Sequence, residues 1–147
     1  MMAVLQRTNG SRVEVKGSVK GQINSGLTVL LGIKKGDTTT EAAYMMDKII
    51  NLRIFSDDQG KMNLSLLDIG GEVLLVSQFT LYADTRKGRR PSFTEAELPE
   101  AAERMIDYCS DYLRSKNVKV AGGQFGAHMN LFIENDGPCT IILEAGE

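Results

Sequence analysis

The chain is short of the side chains on which most catalytic chemistry depends. Among 147 residues there is no tryptophan, one histidine, two cysteines and three prolines. The single histidine, His128, cannot build a histidine-rich metal site. Cys109 and Cys139 show neither metal-ligand nor redox spacing, and a reduced compartment is the default for such a pair. No HExxH, P-loop, GxGxxG or CxxC pattern occurs. Gly122-Gly123-Gln124-Phe125-Gly126 is glycine-rich but does not match a phosphate loop. Neither a metal nor a nucleotide cofactor is expected. Long apolar runs are also missing. None approaches the ~18 residues of a membrane span, and Met1–Arg7 lacks the long apolar region of a signal peptide. A cytoplasmic protein with no membrane partner is expected. Positive charge is scarce as well: the net charge is −2. That excludes a nucleic-acid binder held by diffuse positive charge, and leaves room for a local grip on one nucleic-acid end.

What is present is ordinary globular material, 42% hydrophobic and 24% charged. One domain over residues 1–147 is expected, since no repeat, linker or low-complexity tract divides the chain. Arg12-Val13-Glu14-Val15-Lys16 alternates with the period of a half-buried strand, and Gly17-Ser18 turns it into Val19–Ile23. The nearly continuous apolar run Leu27–Ile33 predicts a central strand. Thr38 and Glu41 have capping-box spacing, and Ala42, Ala43, Met46, Ile49 and Ile50 follow at helical spacing. Arg53–Phe55 leads through a turn-rich stretch that joins two short strands. Val73–Tyr82 is the longest strand candidate. A second helix is expected from Pro99, with Met105, Ile106, Cys109, Tyr112 and Leu113 on one stripe. Ala127–Glu134 and Cys139–Glu144 read as strands around a tight Asn135–Pro138 connection. The sum is an α+β fold, a mostly antiparallel, barrel-like sheet with two α-helices.

Three features stand out. Ser77-Gln78-Phe79-Thr80-Leu81 puts polar residues into an apolar strand run; by spacing alone, simple alternation at a strand's solvent end is the favoured explanation. Asn135-Asp136-Gly137-Pro138-Cys139-Thr140 could be a plain hairpin turn, yet proline removes a ladder donor and restricts the residue before it. Arg86-Lys87-Gly88-Arg89-Arg90-Pro91 gathers four cations, which suit either a solvated loop or a phosphate contact. A Cys139–His128 nucleophile–base pair can be imagined, but no local signature supports it, and a cysteine in an apolar strand usually behaves as a small buried hydrophobe.

Together these segments resemble the D-aminoacyl-tRNA deacylase (D-tyrosyl-tRNA deacylase) family over nearly the whole chain. Its markers stand here as Ser77–Leu81 and Asn135–Thr140. Leu5-Gln6-Arg7, Arg53–Asp57, Gly60–Leu64 and Arg90–Phe93 add support in the same order and spacing. The resemblance implies an editing hydrolase that cleaves the ester of D-aminoacyl-tRNA, releasing D-amino acid and tRNA. It implies a homodimer with active sites at the interface, the aminoacyl-tRNA acceptor end as partner, and a cis Gly137-Pro138 bond entering the partner's pocket. Ser77, Gln78, Phe79 and Thr80 would line the site of the terminal adenosine and its amino acid, with Gln78, Phe79 and Thr80 nearest the chemistry. Arg7 would brace the Gly-Pro dipeptide, and Met129 would touch the substrate. His128 stands where aspartate is common and Cys139 where valine is common. The thin catalytic inventory suits such a substrate, because an aminoacyl ester is already activated and lies beside a ribose 2′-hydroxyl. Placing a water and polarising the carbonyl with backbone donors accelerates its hydrolysis. A wall of backbone atoms would reject an L side chain without reading a D one, so glycyl-tRNA is an expected substrate. Thr80 or Ser77 as nucleophile lacks an adjacent base in sequence. The rivals are a non-catalytic RNA-binding module using the Arg86–Arg90 loop, and a general esterase.

Overall fold

The computed structural model describes residues 1–146. Its elements follow in the order β1 (Met2–Val15), β2 (Ser18–Ile23), β3 (Gly26–Gly32), α1 (Thr39–Asn51), β4 (Phe55–Ser56), β5 (Met62–Leu64), α2 (Leu66–Ile69), β6 (Glu72–Ser77), a 3-10 turn (Phe79–Tyr82), α3 (Pro99–Ser115), β7 (Val120–Gly122) and β8 (Asn130–Glu144). Both long helices stand where spacing predicts them. Thr38 caps α1 in a full capping box with Glu41, and Pro99 opens α3 at its first position. The four-residue α2, capped by Ser65 and Asp68, is an addition.

β1 is the organising strand. Lys16 (φ 50°) and Gly17 (φ 79°) turn it back on itself with both central residues left-handed, the geometry of a tight hairpin. On one edge Ser11–Val15 pairs antiparallel with β2 and Met2–Thr8 with β3. The other edge pairs antiparallel with β8 along its length. Beyond β3 the sheet becomes parallel: β6 runs beside β3, and β7 beside β6. Gly21 and Gly122 then meet backbone to backbone, where a side chain on Gly21 would strike Gly122. That contact brings β7 against β2 and closes the sheet into a nearly complete barrel.

Two apolar clusters hold this arrangement. On one face Ala3, Leu5, Leu27, Val29, Leu31, Val73 and Leu75 pack against Ala42, Met45, Met46, Ile49 and Ile50 of α1 and Cys109 and Leu113 of α3. Burying each larger aliphatic side chain is worth about 1.5–3 kcal/mol, so α1 alone anchors the sheet firmly. Register shifts on either side of Thr8 bend β1. Its far half folds over, and Val13 and Ile23 pack on Leu74 and Val76 in a second cluster inside the curl.

Two expected elements differ. The strand expected over Val73–Tyr82 stops at Ser77, and the chain tightens into the 3-10 turn. Gly32 explains where: a Cβ there would stand 3.0 Å from the Gln78 carbonyl, 3.2 Å from Leu81 Cβ and 3.3 Å from the Tyr82 ring. The turn is folded down onto a glycine that sequence alternation cannot foresee. The two strands expected around Asn135–Pro138 are one strand, β8, starting at Asn130 rather than Ala127. Gln6 faces Thr140 and Thr8 faces Asn135, so four residues, Asp136 to Cys139, stand opposite Arg7 alone, with Gly137 and Pro138 exposed and Cys139 buried. The motif is an outsized bulge in a continuous strand, not a hairpin.

Candidate active site

A cavity of about 590 Å³ opens at the C-terminal end of β6. Ser77, Gln78 and Phe79 line it from the strand end, and His128 and Met129 from the approach to β8. Met129 reaches into space that any side chain on Gly123 would occupy. Phe79 is exposed, and its ring meets Phe93 edge-on at 5.0 Å between centroids. The apolar floor comes from Leu31, Ile33 and Ala102.

The local backbone defines what this end can do. The Gln78 amide still donates to the Leu31 carbonyl at 2.8 Å, the last rung beside β3. Leu81 N–H then donates back to the Gln78 carbonyl at 3.3 Å, and Ala83 N–H to that of Thr80 at 3.1 Å. The first N–H groups of a helical turn have no intrahelical acceptor, and the Phe79 and Thr80 amides occupy that position. Among the described residues neither amide has a backbone acceptor, and of the two residues Phe79 lines the cavity with Thr80 next to it in the turn. The Gln78 side-chain amide donates to Thr80 Oγ1. An amide nitrogen cannot take the proton that a nucleophilic hydroxyl must lose.

Gly137 and Pro138 lie elsewhere. Their peptide bond is cis, both are exposed at the bulge, and neither lines the cavity. Arg7 faces Leu27, and Ser77 faces Leu31. Four residues along β3 and three ladder steps across the sheet put the dipeptide on the order of 15–20 Å from Ser77. Within one protomer the two motifs do not meet. The bulge is tied from below instead. Arg7, 9% exposed, donates from Nε to the Asp136 carbonyl at 3.1 Å and from Nη1 to the Ile54 carbonyl at 2.6 Å. It also pairs with the Asp136 carboxylate at 3.1 Å. Gly137 has φ 127°, and a Cβ would come within 2.9 Å of the Cys139 amide and 3.1 Å of Arg7 Nη2. Only glycine fits there.

The imagined thiol dyad is not assembled. Cys139 sits in the helix-side core, His128 lines the cavity, and no hydrogen bond joins them among the described residues. Cys109, deep in the same core, has its thiol pushed up to about 12 by burial. The Tyr82 hydroxyl is raised by burial and by the carboxylates of Asp37, Glu144 and Glu95, and stays protonated. Among the described residues no three His, Cys, Asp or Glu come together as a metal site, and no helix is long and apolar enough to cross a membrane. Sequence reasoning missed Phe93 and the cavity floor; the Arg90–Phe93 match pointed to the segment but not to the ring contact.

A nearly closed sheet with two long helices packed on one face and a largely apolar pocket at one strand end defines a small α+β, barrel-like protein. The solved structure of a "c-Myc DNA Unwinding Element Binding Protein" superposes with a TM-score of 0.94 at 42% identity, covering 100% of both chains. That of "a probable eukaryotic D-amino acid tRNA deacylase" shares the fold with a TM-score of 0.83 at 17% identity over 97% of each. The D-Tyr-tRNA(Tyr) deacylase family matches residues 4–144. A D-aminoacyl-tRNA deacylase of Syntrophomonas wolfei is 63% identical, over 99% of this chain and 97% of its own. One of Aquifex aeolicus is 53% identical, over 100% and 99%. The chain belongs to the D-aminoacyl-tRNA deacylase family, a family of hydrolases.

Proposed function

We propose that this protein hydrolyses the ester of D-aminoacyl-tRNA, and of glycyl-tRNA, and spares L-aminoacyl esters. The observation that carries the reading is the cavity at the end of β6, lined by Ser77, Gln78, Phe79 and Met129, beside a 3-10 turn whose Phe79 and Thr80 amides have no backbone acceptor among the described residues. The Phe79 and Thr80 amides would receive the charge that develops on the carbonyl oxygen, and such donors are worth about 10²–10³ in rate. Ser77 and Gln78 orient the ribose, and Met129 packs against the adenine. Thr80 is held by an amide donor rather than a base. The proton therefore moves through the ribose 2′-hydroxyl, which lies beside the ester carbon.

Chiral selection needs the dipeptide that one protomer keeps away from its own pocket. A homodimer supplies it: Gly137 and Pro138 of one subunit enter the pocket of the other, with Arg7 as their brace. Support comes from the outer edge of β8, which pairs with no strand among the described residues, and from Ile142 and Phe132, exposed along that strand. Backbone atoms then crowd the substrate's α-carbon on the side where an L substituent would stand. The work is done in the cytoplasm, where aminoacyl-tRNA is found. A nucleic-acid-binding role without turnover is the second reading, favoured by the likeness at 42% identity to a protein named for binding a DNA unwinding element.

Initial rates on glycyl-, L-alanyl- and D-alanyl-tRNA at equal enzyme test the proposal. Hydrolysis of the glycyl and D-alanyl esters with the L-alanyl ester spared is expected. A glycyl ester as inert as the L-alanyl ester would replace exclusion by a pocket for the D side chain. Tight binding of all three without ester loss would leave the binding module.

A further inference from the structure

The four cations of Arg86–Arg90 are unused by the site as described, and the structure gives them a defined place. Asp84 and Ser92 exchange both backbone hydrogen bonds, at 2.7 and 2.9 Å, and close the intervening residues 85–91 into a single projecting loop. The residue after that clasp is Phe93, whose ring touches Phe79 and lines the cavity. One leg of the loop therefore ends at the pocket's rim, while Asp84, Thr85 and Arg86 of the other leg line a separate cavity. A chain of three or four residues from clasp to tip reaches roughly 10 Å. Arg86 is occupied: its guanidinium grips the Asp84 carboxylate at 2.7 and 2.9 Å and pulls that carboxyl down to about 2. Lys87, Arg89 and Arg90 are exposed and form no ion pair among the described residues. Three uncompensated cations on one loop are conspicuous in a chain whose net charge is −2.

The other side of the pocket has the opposite sign. An adjoining cavity of about 470 Å³ shares Ser77, Ile106, Phe125 and Met129 with the first. Glu103, Asp107 and Asp111 line it from α3, four residues apart on one helix face. Arg114 pairs with Asp111 at 3.4 Å, and Glu103 and Asp107 form no ion pair among the described residues. Lys35 and Glu97 offset each other at the mouth. A polyanion seated at Ser77 thus meets repulsion toward α3 and attraction toward the loop.

We propose that Lys87, Arg89 and Arg90 bind the phosphates of the nucleotides preceding the terminal adenosine, so that the acceptor strand leaves the pocket past Phe93 and away from α3. This rests on the deacylase reading for the identity of the RNA, and it adds the exit direction and the residues that hold it. Phosphate contacts of this kind position the ligand without reading its sequence.

The test is the double charge reversal R89E/R90E, set beside D107K at the opposite end. Binding of uncharged tRNA is measured across a salt series, and hydrolysis is measured on D-tyrosyl-tRNA and on the short ester D-tyrosyl-adenosine. The loop reversal is expected to weaken tRNA binding at least ~10-fold at moderate salt and to flatten the slope of log affinity against log salt by about 1.4, the share of two single-strand phosphate contacts. Its loss on D-tyrosyl-tRNA should exceed its loss on the short ester by a similar factor, mainly through KM. Equal losses on both esters, or an unchanged salt slope, would overturn the proposal. So would a D107K variant that tightens tRNA binding while the loop reversal leaves it untouched, because the strand would then run over α3. The binding series needs no turnover, so a wild-type protein inert toward D-esters would refute the deacylase reading and still report on the loop.

Discussion

Ser77–Thr80 and Asp136–Cys139 are both places where the chain leaves a strand, and they are held in opposite ways. After Ser77 the strand ends outright, Phe79 and Thr80 of the next turn are exposed, and among the described residues its side-chain hydrogen bonding is the bond from Gln78 to Thr80. At Asp136 the strand continues on either side of the bulge, and a buried arginine fixes it to Ile54 from beneath. The first region offers free amides and keeps room for a ligand. The second offers a shaped backbone surface that nothing in its own protomer uses. On the proposed reading, the region that accepts the reacting group is the loosely bonded one, and the region that excludes a methyl group is the braced one. If that division is right, chemistry should be sensitive to what the substrate brings to the first region, and selectivity and stability to what supports the second.

The largest effect is expected from the substrate side. Replacing the 2′-hydroxyl of the terminal adenosine by hydrogen removes the proposed proton path while leaving every protein group in place. A fall of about 10³-fold in the single-turnover rate is expected, within the usual range for a lost acid–base group. A 2′-deoxy ester cleaved at an undiminished rate would move the chemistry back to a protein side chain and dissolve the contrast between the two regions.

Arg7→Ala comes next, and it acts on the second region. It leaves the Ile54 and Asp136 carbonyls without their donor in a site where Arg7 is 9% exposed. A loss of roughly 2–4 kcal/mol is expected in urea unfolding, since buried acceptors stripped of a charged partner are expensive. Residual folded enzyme should also hydrolyse L-tyrosyl-tRNA faster relative to the D ester. A variant equally stable and equally selective would show that the bulge holds itself.

How much of this was legible beforehand follows the range of the contacts involved. The Thr38–Glu41 box and Pro99 set the two long helices because caps act within one turn. The Val13–Val15 alternation located β1 but not its full length from Met2, because Arg7 and Thr8 are buried polar residues that break the pattern. The end of β6 was hidden: Gln78–Tyr82 continues a plausible alternation, and only Gly32, far back in sequence, turns it. At Asn135–Pro138 the local signals mark only a tight connection between two strands, whereas pairing with β1 on both sides of the bulge is a long-range fact. The parallel joining of β6 and β7 is likewise tertiary. The proposed site residues come from the two short motifs, since spacing alone leaves Ser77–Thr80 as a strand end.

Two glycines sharpen the comparison at a smaller scale. Gly137→Ala places a Cβ 2.9 Å from the Cys139 amide and 3.1 Å from Arg7 Nη2, at φ 127°. About 1–3 kcal/mol of destabilisation is expected, with some loss of discrimination against L esters as the surface shifts. Gly88→Ala sits in the cationic loop at φ 67° with nothing within 4 Å. It should cost about 1 kcal/mol of local strain at most, with discrimination unaltered. Urea midpoints and the L-to-D rate ratio for the pair decide it. Equal behaviour would mean that positive φ alone matters and that the close contacts under Gly137 do not.

The smallest effect is expected at Thr80, in the region where a side-chain nucleophile would be sought first. Thr80 is exposed, its hydroxyl accepts from the Gln78 amide, and no carboxylate or imidazole is bonded to it among the described residues. A hydroxyl with that partner is held in place but not activated, because deprotonation needs an acceptor for its proton. Removing it frees Gln78 and leaves the Phe79 and Thr80 amides where the 3-10 turn put them. Stability should change by no more than about 0.5 kcal/mol, as for most exposed substitutions. The single-turnover rate of Thr80→Ala on D-tyrosyl-tRNA should fall no more than ~10-fold, the size of one lost neutral hydrogen bond. Thr80→Ser keeps the hydroxyl and should recover most of that loss. A nucleophile would behave otherwise: Thr80→Ala would drop to the uncatalysed rate with tRNA binding intact, and a covalent aminoacyl adduct would form on the wild-type protein. Retained turnover in Thr80→Ala, beside a crippled 2′-deoxy substrate, places the reacting proton on the RNA and leaves backbone as this protein's contribution to the chemistry.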